Sequence, residues 1–174
     1  MAERKEERQD FYRLMVFNRT TDEKEHYNPK HWHDLLEITV CLTGASEVWI
    51  DGREFRNKPG GVFVISPRTM HMVHGIPPVS EDTGYCLQIN LRLLYPVMPQ
   101  LRDIVFLPEC EEKTAVQIIR LIQDIERLCE TDPASVDIPA TVISLVVLLC
   151  EKTERSEREQ EKAGKHYGDT DLYP

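Results

Sequence analysis

The hydrophobic period of this chain changes near residue 110, and that change constrains the fold more than any other feature. Upstream, apolar residues alternate. Ile38, Val40 and Leu42 fall on one side of a run whose other side is Glu37, Thr39 and Cys41. Likewise Tyr85, Leu87, Ile89 and Leu91 alternate with Cys86, Gln88 and Asn90. Period two marks a strand with one buried face. Phe11–Phe17, Ser46–Ile50, Arg53–Phe55 and Val62–Ile65 read as further strands, and Asp51-Gly52 is a two-residue hairpin signal. Downstream, Ala115, Ile118, Ile119, Ile122, Ile125 and Cys129 recur at helical spacing, which predicts an amphipathic helix over Lys113–Glu130. Thr131-Asp132-Pro133 interrupts it. A second helix is expected from Asp137 to Glu157, with Pro139 in its first turn. Short strands followed by two helices predict a mostly β fold, a barrel or sandwich carrying a C-terminal helical hairpin.

Between the first strands stands His31-Trp32-His33-Asp34-Leu35-Leu36-Glu37. Positions 31, 33 and 37 share parity, so an extended backbone puts two imidazoles and a carboxylate on one side. His71 follows the strand at 62–65 and adds a third imidazole. Three His and one Glu suit a divalent ion such as Zn, Ni, Fe, Mn or Cu. The other reading of His31, His33, Glu37 and His71 is a hydrogen-bonded polar cluster. Both stay open at this level.

These residues also carry a resemblance. His31-x-His33-x3-Glu37-x6-Gly44 is similar to the first sequence motif of the cupin superfamily. The order continues through Trp49-Ile50-Asp51-Gly52-Arg53, Lys58-Pro59-Gly60-Gly61, Val62-Phe63-Val64-Ile65-Ser66-Pro67 and His71. Over about residues 11–95 it resembles the N-terminal sensing domain of AraC-type transcription regulators, and the two helices sit where that family places its dimerisation helices. The second cupin motif is shortened: Thr69 stands in place of its glycine, and His71 comes one residue earlier than metal-binding cupins place their histidine.

The resemblance implies a cupin, jelly-roll-like β-barrel with an N-terminal arm over residues 1–110, a helical hairpin over 111–160 and a linker over 161–174. It implies an effector-sensing and dimerisation domain, not an enzyme, whose DNA-binding half lies outside this chain. DNA would be a partner only through that half. The alternative is a small cupin metalloenzyme of dioxygenase or isomerase type. The expected effector is a small polar molecule, a sugar or organic acid, held in the barrel. If Glu37 points inward, parity sends Thr39 and Cys41 inward too, and Gln88 and Asn90 form the matching polar face; the alternative is ordinary solvent-facing alternation. Trp49 is the candidate to stack on a ligand, with core packing as the alternative. The second helix is apolar nearly all round, so Leu145, Leu148 and Leu149 are candidates for a homodimer seam, or else both of its faces are buried within one chain.

Charge and cysteine content narrow the partners. A formal net charge of −9 argues against direct nucleic-acid binding by these residues. Five cysteines, Cys41, Cys86, Cys110, Cys129 and Cys150, are scattered without a CxxC pair, which reads as reduced thiols of a cytoplasmic protein. Residues 2–10 are charged, with no apolar signal-peptide core, and Val142–Cys150 is too short to span a bilayer, so no membrane role is expected.

Overall fold

The computed structural model describes residues 10–20, 29–75 and 81–152. Seven strands are followed by two helices: β1 (Tyr12–Thr20), β2 (Leu36–Thr43), β3 (Ser46–Ile50), β4 (Arg53–Asn57), β5 (Val62–Ile65), β6 (His71–Gly75), β7 (Glu81–Ile89), α1 (Glu112–Thr131) and α2 (Asp137–Lys152). The strands form two antiparallel sheets, one in the order β1-β7-β2-β5 and one in the order β4-β3-β6. This is the barrel with a helical hairpin that the change of period predicts.

The alternation in β2 and β7 is resolved by the register. Ile38 lies opposite Leu87, and Glu37 opposite Gln88. The apolar set turns outward. Leu36, Ile38, Val40, Val62, Val64, Tyr85, Leu87 and Ile89 form one buried cluster with Ile118, Ile122 and Ile125 of α1 and Val142, Leu145, Val146 and Leu149 of α2. The helices therefore cover the outer face of the first sheet, and burial of each large aliphatic side chain there contributes roughly 1.5–3 kcal/mol. A second cluster lies between the sheets: Val48, Ile50, Phe63 and Ile65, with Phe55 and Val73 against them. Part of the barrel interior is thus filled by apolar side chains.

Asp51 and Gly52, with φ of 44° and 86°, make the tight β3–β4 turn that the Asp-Gly pair signals. The edge of β5 is covered by the chain ahead of α1: the Val64 amide donates to the Pro108 carbonyl at 2.9 Å, and the Phe106 amide donates to Ser66 Oγ at 2.9 Å. Two short 3₁₀ turns, Leu91–Leu93 and Pro99–Arg102, lie between β7 and that segment.

β1 continues through Asn18 to Thr20, where the polar sequence reads as a turn, because those residues pair with Glu81–Thr83 of β7. Residues 1–9 of the expected arm, the helical stretch beyond Lys152 and the expected linker at 161–174 lie outside the described residues. Among the described residues no helix is long and apolar enough to cross a membrane.

Candidate functional site: a histidine and carboxylate cluster at the barrel mouth

Four side chains meet where the two sheets approach. Glu37 projects inward from β2, opposite Gln88 of β7 and Ile65 of β5. His71 opens β6 opposite Ile50. His31 extends this second sheet: its amide donates to the His71 carbonyl at 3.0 Å, and the His71 amide donates back at 2.9 Å. His33, two residues on, shares His31's side. The ring centroids lie 4.3 Å apart for His31 and His71, 4.9 Å for His33 and His71, and 5.8 Å for His31 and His33. One ring nitrogen from each falls within 4.8 Å of the others.

Backbone carbonyls fix the rings. His31 Nδ1 lies 2.9 Å from the Pro29 carbonyl, His33 Nδ1 3.1 Å from that of Leu35 and His71 Nδ1 2.8 Å from that of Thr69. A carbonyl only accepts, so each Nδ1 carries the proton and each Nε2 is left for the cluster.

The three Nε2 atoms then differ. That of His33 is 3.0 Å from Glu37 Oε2. An acceptor at both nitrogens favours the protonated ring. Burial opposes its charge, but the hydrogen bond and the charge of Glu37 outweigh burial and raise its pKa above the ordinary 6.5. His71 is 1% exposed, and burial lowers its pKa below the ordinary 6.5. Its Nε2 is buried without a hydrogen-bond partner and lies 3.8 Å from Glu37 Oε2.

Glu37 is 5% exposed. Burial alone would raise its pKa, but hydrogen bonds from His33 and Gln88 and the nearby His71 hold it down to about 2. Gln88 Nε2 donates to Oε2 at 2.9 Å, and Thr39 Oγ1 donates to Oε1 at 3.3 Å.

This donor set fits a divalent metal. An orphaned buried imidazole nitrogen is costly unless something accepts its lone pair. Imidazoles whose Nδ1–H is tied to a carbonyl are oriented as metal-ligating histidines are. His31, His33 and His71 through Nε2, with Glu37, would hold the ion, and His33 would give up its Nε2 proton on binding. A bound ion would supply a Lewis acid for an oxygen-bearing ligand.

The remaining candidates separate. Thr39 and Gln88 touch Glu37, as parity predicts. Cys41 shares their inward parity but lies farther along β2, opposite Gly84, with its thiol 3.3 Å from the Thr43 carbonyl. Trp49 stands on the other face of β3 from Val48 and Ile50, which fill the barrel, and Lys30 Nζ lies 3.7 Å over its ring. It therefore lies outside the lumen. Asn90 follows the end of β7 and caps the first 3₁₀ turn, its Oδ1 accepting from the Arg92 amide at 3.2 Å. Leu145 and Leu149 are 0% and 3% exposed and belong to the chain's own core, and Leu148 is half-buried against it. The larger exposed apolar side chains of α2 are instead Ile143 and Val147. The carbonyls of Pro29, Leu35 and Thr69, which select the tautomers, carry no side-chain signal that sequence reading could find.

Several known proteins are similar to this chain. A family model described as "AraC-like ligand binding domain" matches residues 16–162. No curated protein matches the chain. Among solved structures, a conserved protein of unknown function from Streptococcus pyogenes is similar at 17% identity and a TM-score of 0.40, covering 47% of this chain and 66% of that one. The cupin domain of Cnp3 from Schizosaccharomyces pombe is similar at 16% identity and a TM-score of 0.42, covering 51% and 64%. A cupin superfamily protein from Desulfitobacterium hafniense is similar at 11% identity and a TM-score of 0.39, covering 46% and 68%. The chain spans less than two thirds of the length of the first two.

Proposed function

The chain belongs to the AraC-like ligand binding domain family, and from that premise we propose that it senses a small oxygen-rich molecule at the mouth of its cupin barrel. The single observation that carries this reading is the convergence of one ring nitrogen from each of three imidazoles within 4.8 Å beside the buried, ionised Glu37. The effector is a sugar or organic acid, bound by Glu37, Gln88 and Thr39 together with a divalent ion on His31, His33, His71 and Glu37. The chain acts as the sensor of a transcription regulator whose DNA-contacting part is a separate unit.

Strand β7 joins the site to the helices. Gln88 faces the cluster, and three residues earlier Tyr85 faces outward, its hydroxyl donating to Glu126 Oε2 of α1 at 2.6 Å. A ligand with different affinity for two placements of β7 would bias α1 and the surface next to it. Self-association runs through α2, and the exposed Ile143 and Val147 are the residues available for it.

A thermal-shift screen of the chain against sugars and organic acids, with and without divalent ions, tests the reading. Stabilisation by one of these classes, lost in Glu37→Gln and in Gln88→Ala, is expected. No shift with any member, or shifts that persist in both variants for every member that stabilises the chain, contradicts it. The orphaned His71 Nε2 in a three-His, one-Glu donor set also favours a second reading, a cupin metalloenzyme. Turnover of a screened compound by the metal-loaded chain would support that reading instead.

A further inference from the structure

We infer that the cleft beside the barrel mouth is a second binding site, for a small carboxylate with an apolar body. The cleft encloses about 660 Å³, within the range of small-molecule sites. One wall is the turn after β5, including Pro67, Arg68 and Thr69. The other is the segment after β7, including Arg92, Tyr95, Arg102, Ile104 and Val105.

Charge and polarity select the ligand. Arg68, Arg92 and Arg102 all line this cleft, in a chain whose formal net charge is −9. Two carboxylates also line it. Asp34 accepts from Arg68 Nε at 2.7 Å, and Asp51 Oδ1 accepts from the Met70 amide at 3.2 Å. Asp34 is further affected by the charge of Arg92, which acts with Arg68 to lower its pKa. Arg92 and Arg102 make no ion pair among the described residues. Arg102 lies over the Tyr95 ring, 5.2 Å from its centroid, which leaves the planar donor fork of guanidinium suited to a carboxylate. Ile104, Val105, Leu101 and Tyr95 line the cleft as well and match an apolar body.

The cleft adjoins the barrel cluster without sharing its side chains. Arg68, at φ 65°, donates its amide to the His33 carbonyl at 2.7 Å, and the Thr69 carbonyl holds His71 Nδ1. The site stands without the sensing role given above, because none of its groups bonds Glu37.

Calorimetric titration of the whole chain with benzoate, benzyl alcohol and acetate tests the inference. Benzoate has both the charge and the body; each of the others lacks one. Saturable benzoate binding is expected, at least about tenfold tighter than that of either other compound, weakened at least about tenfold in Arg92→Ala/Arg102→Ala and retained in Glu37→Gln. Both arginines are exposed, so the double variant should keep its melting temperature. Absence of benzoate binding, binding indifferent to the arginine pair, or binding lost in Glu37→Gln but kept in the arginine variant would overturn it.

Discussion

His33 Nε2 and Glu37 Oε2 lie 3.0 Å apart, and the second ring nitrogen of His33 is tied to the Leu35 carbonyl at 3.1 Å. Acceptors at both nitrogens favour a protonated His33 ring against the Glu37 carboxylate. Burial favours the neutral form of its neighbour His71, whose Nε2 has no hydrogen-bond partner.

Removing Glu37 should be costly. Glu37→Ala leaves the half-buried His33 ring and the Gln88 amide without their acceptor, and should destabilise the chain by about 1–3 kcal/mol. Glu37→Gln keeps the volume and should cost less, while His33 loses the partner that raises its pKa. Denaturant unfolding measures the first effect, and NMR titration of the His33 ring the second.

The pH dependence of metal-stripped protein follows from the same groups. Glu37 has a folded pKa of about 2 against an ordinary 4.5, so its contribution is full above 4.5 and is lost as pH falls through about 2. His33 is raised above 6.5, so its contribution is full below 6.5 and is lost as pH rises through the folded value. His71 is lowered and acts with opposite sign, penalising the fold as pH drops below 6.5. Unfolding free energy measured from pH 2 to 9 should show the acid limb and the alkaline His33 limb, and Glu37→Gln should flatten both.

Tyr85 ties β7 to α1. Its hydroxyl, pushed up to about 12 by burial and the Glu126 carboxylate, donates a 2.6 Å bond. Tyr85→Phe should cost about 1–2 kcal/mol in denaturant unfolding and leave metal binding at the cluster unchanged.

The two faces of α2 should separate by mutation. Leu145→Ala opens the core and should destabilise the chain by about 2–5 kcal/mol. Ile143→Glu/Val147→Glu touches side chains that are 37% and 38% exposed. It should leave the melting temperature nearly unchanged and shift the chain toward monomer in sedimentation velocity.

Much of the site was legible because strand parity is strict. Alternation puts Glu37 and Thr39 on one face with Gln88 on the matching one, and the register of β2 and β7 turns that face inward. The grouping of His31 with His71 came from the order of the motifs and not from parity, since their meeting depends on a two-residue bridge between distant segments. Trp49 misleads as an aromatic ligand contact, yet its flanking Val48 and Ile50 already assign it the opposite face. Asn90 continues the alternation of β7 by one residue too many, because its side chain bonds the Arg92 amide and ends the strand. In α2, apolar residues on nearly every side hide which face the barrel takes. Only packing against Ile118, Ile122 and the outer face of the first sheet selects Leu145 and Leu149. The arginine cleft draws on segments far apart in the chain, and no spacing announces it.

Calorimetry on chelator-treated protein titrated with Zn²⁺ or Ni²⁺ in buffers of differing ionisation enthalpy tests the barrel cluster most directly. The predicted result is one ion per chain, release of a proton from His33, affinity that falls as pH falls, and loss of binding in His71→Ala. Absence of saturable binding, or binding that persists when His31, His33 and His71 are all replaced by alanine, would contradict a metal-assisted sensing site at the barrel mouth.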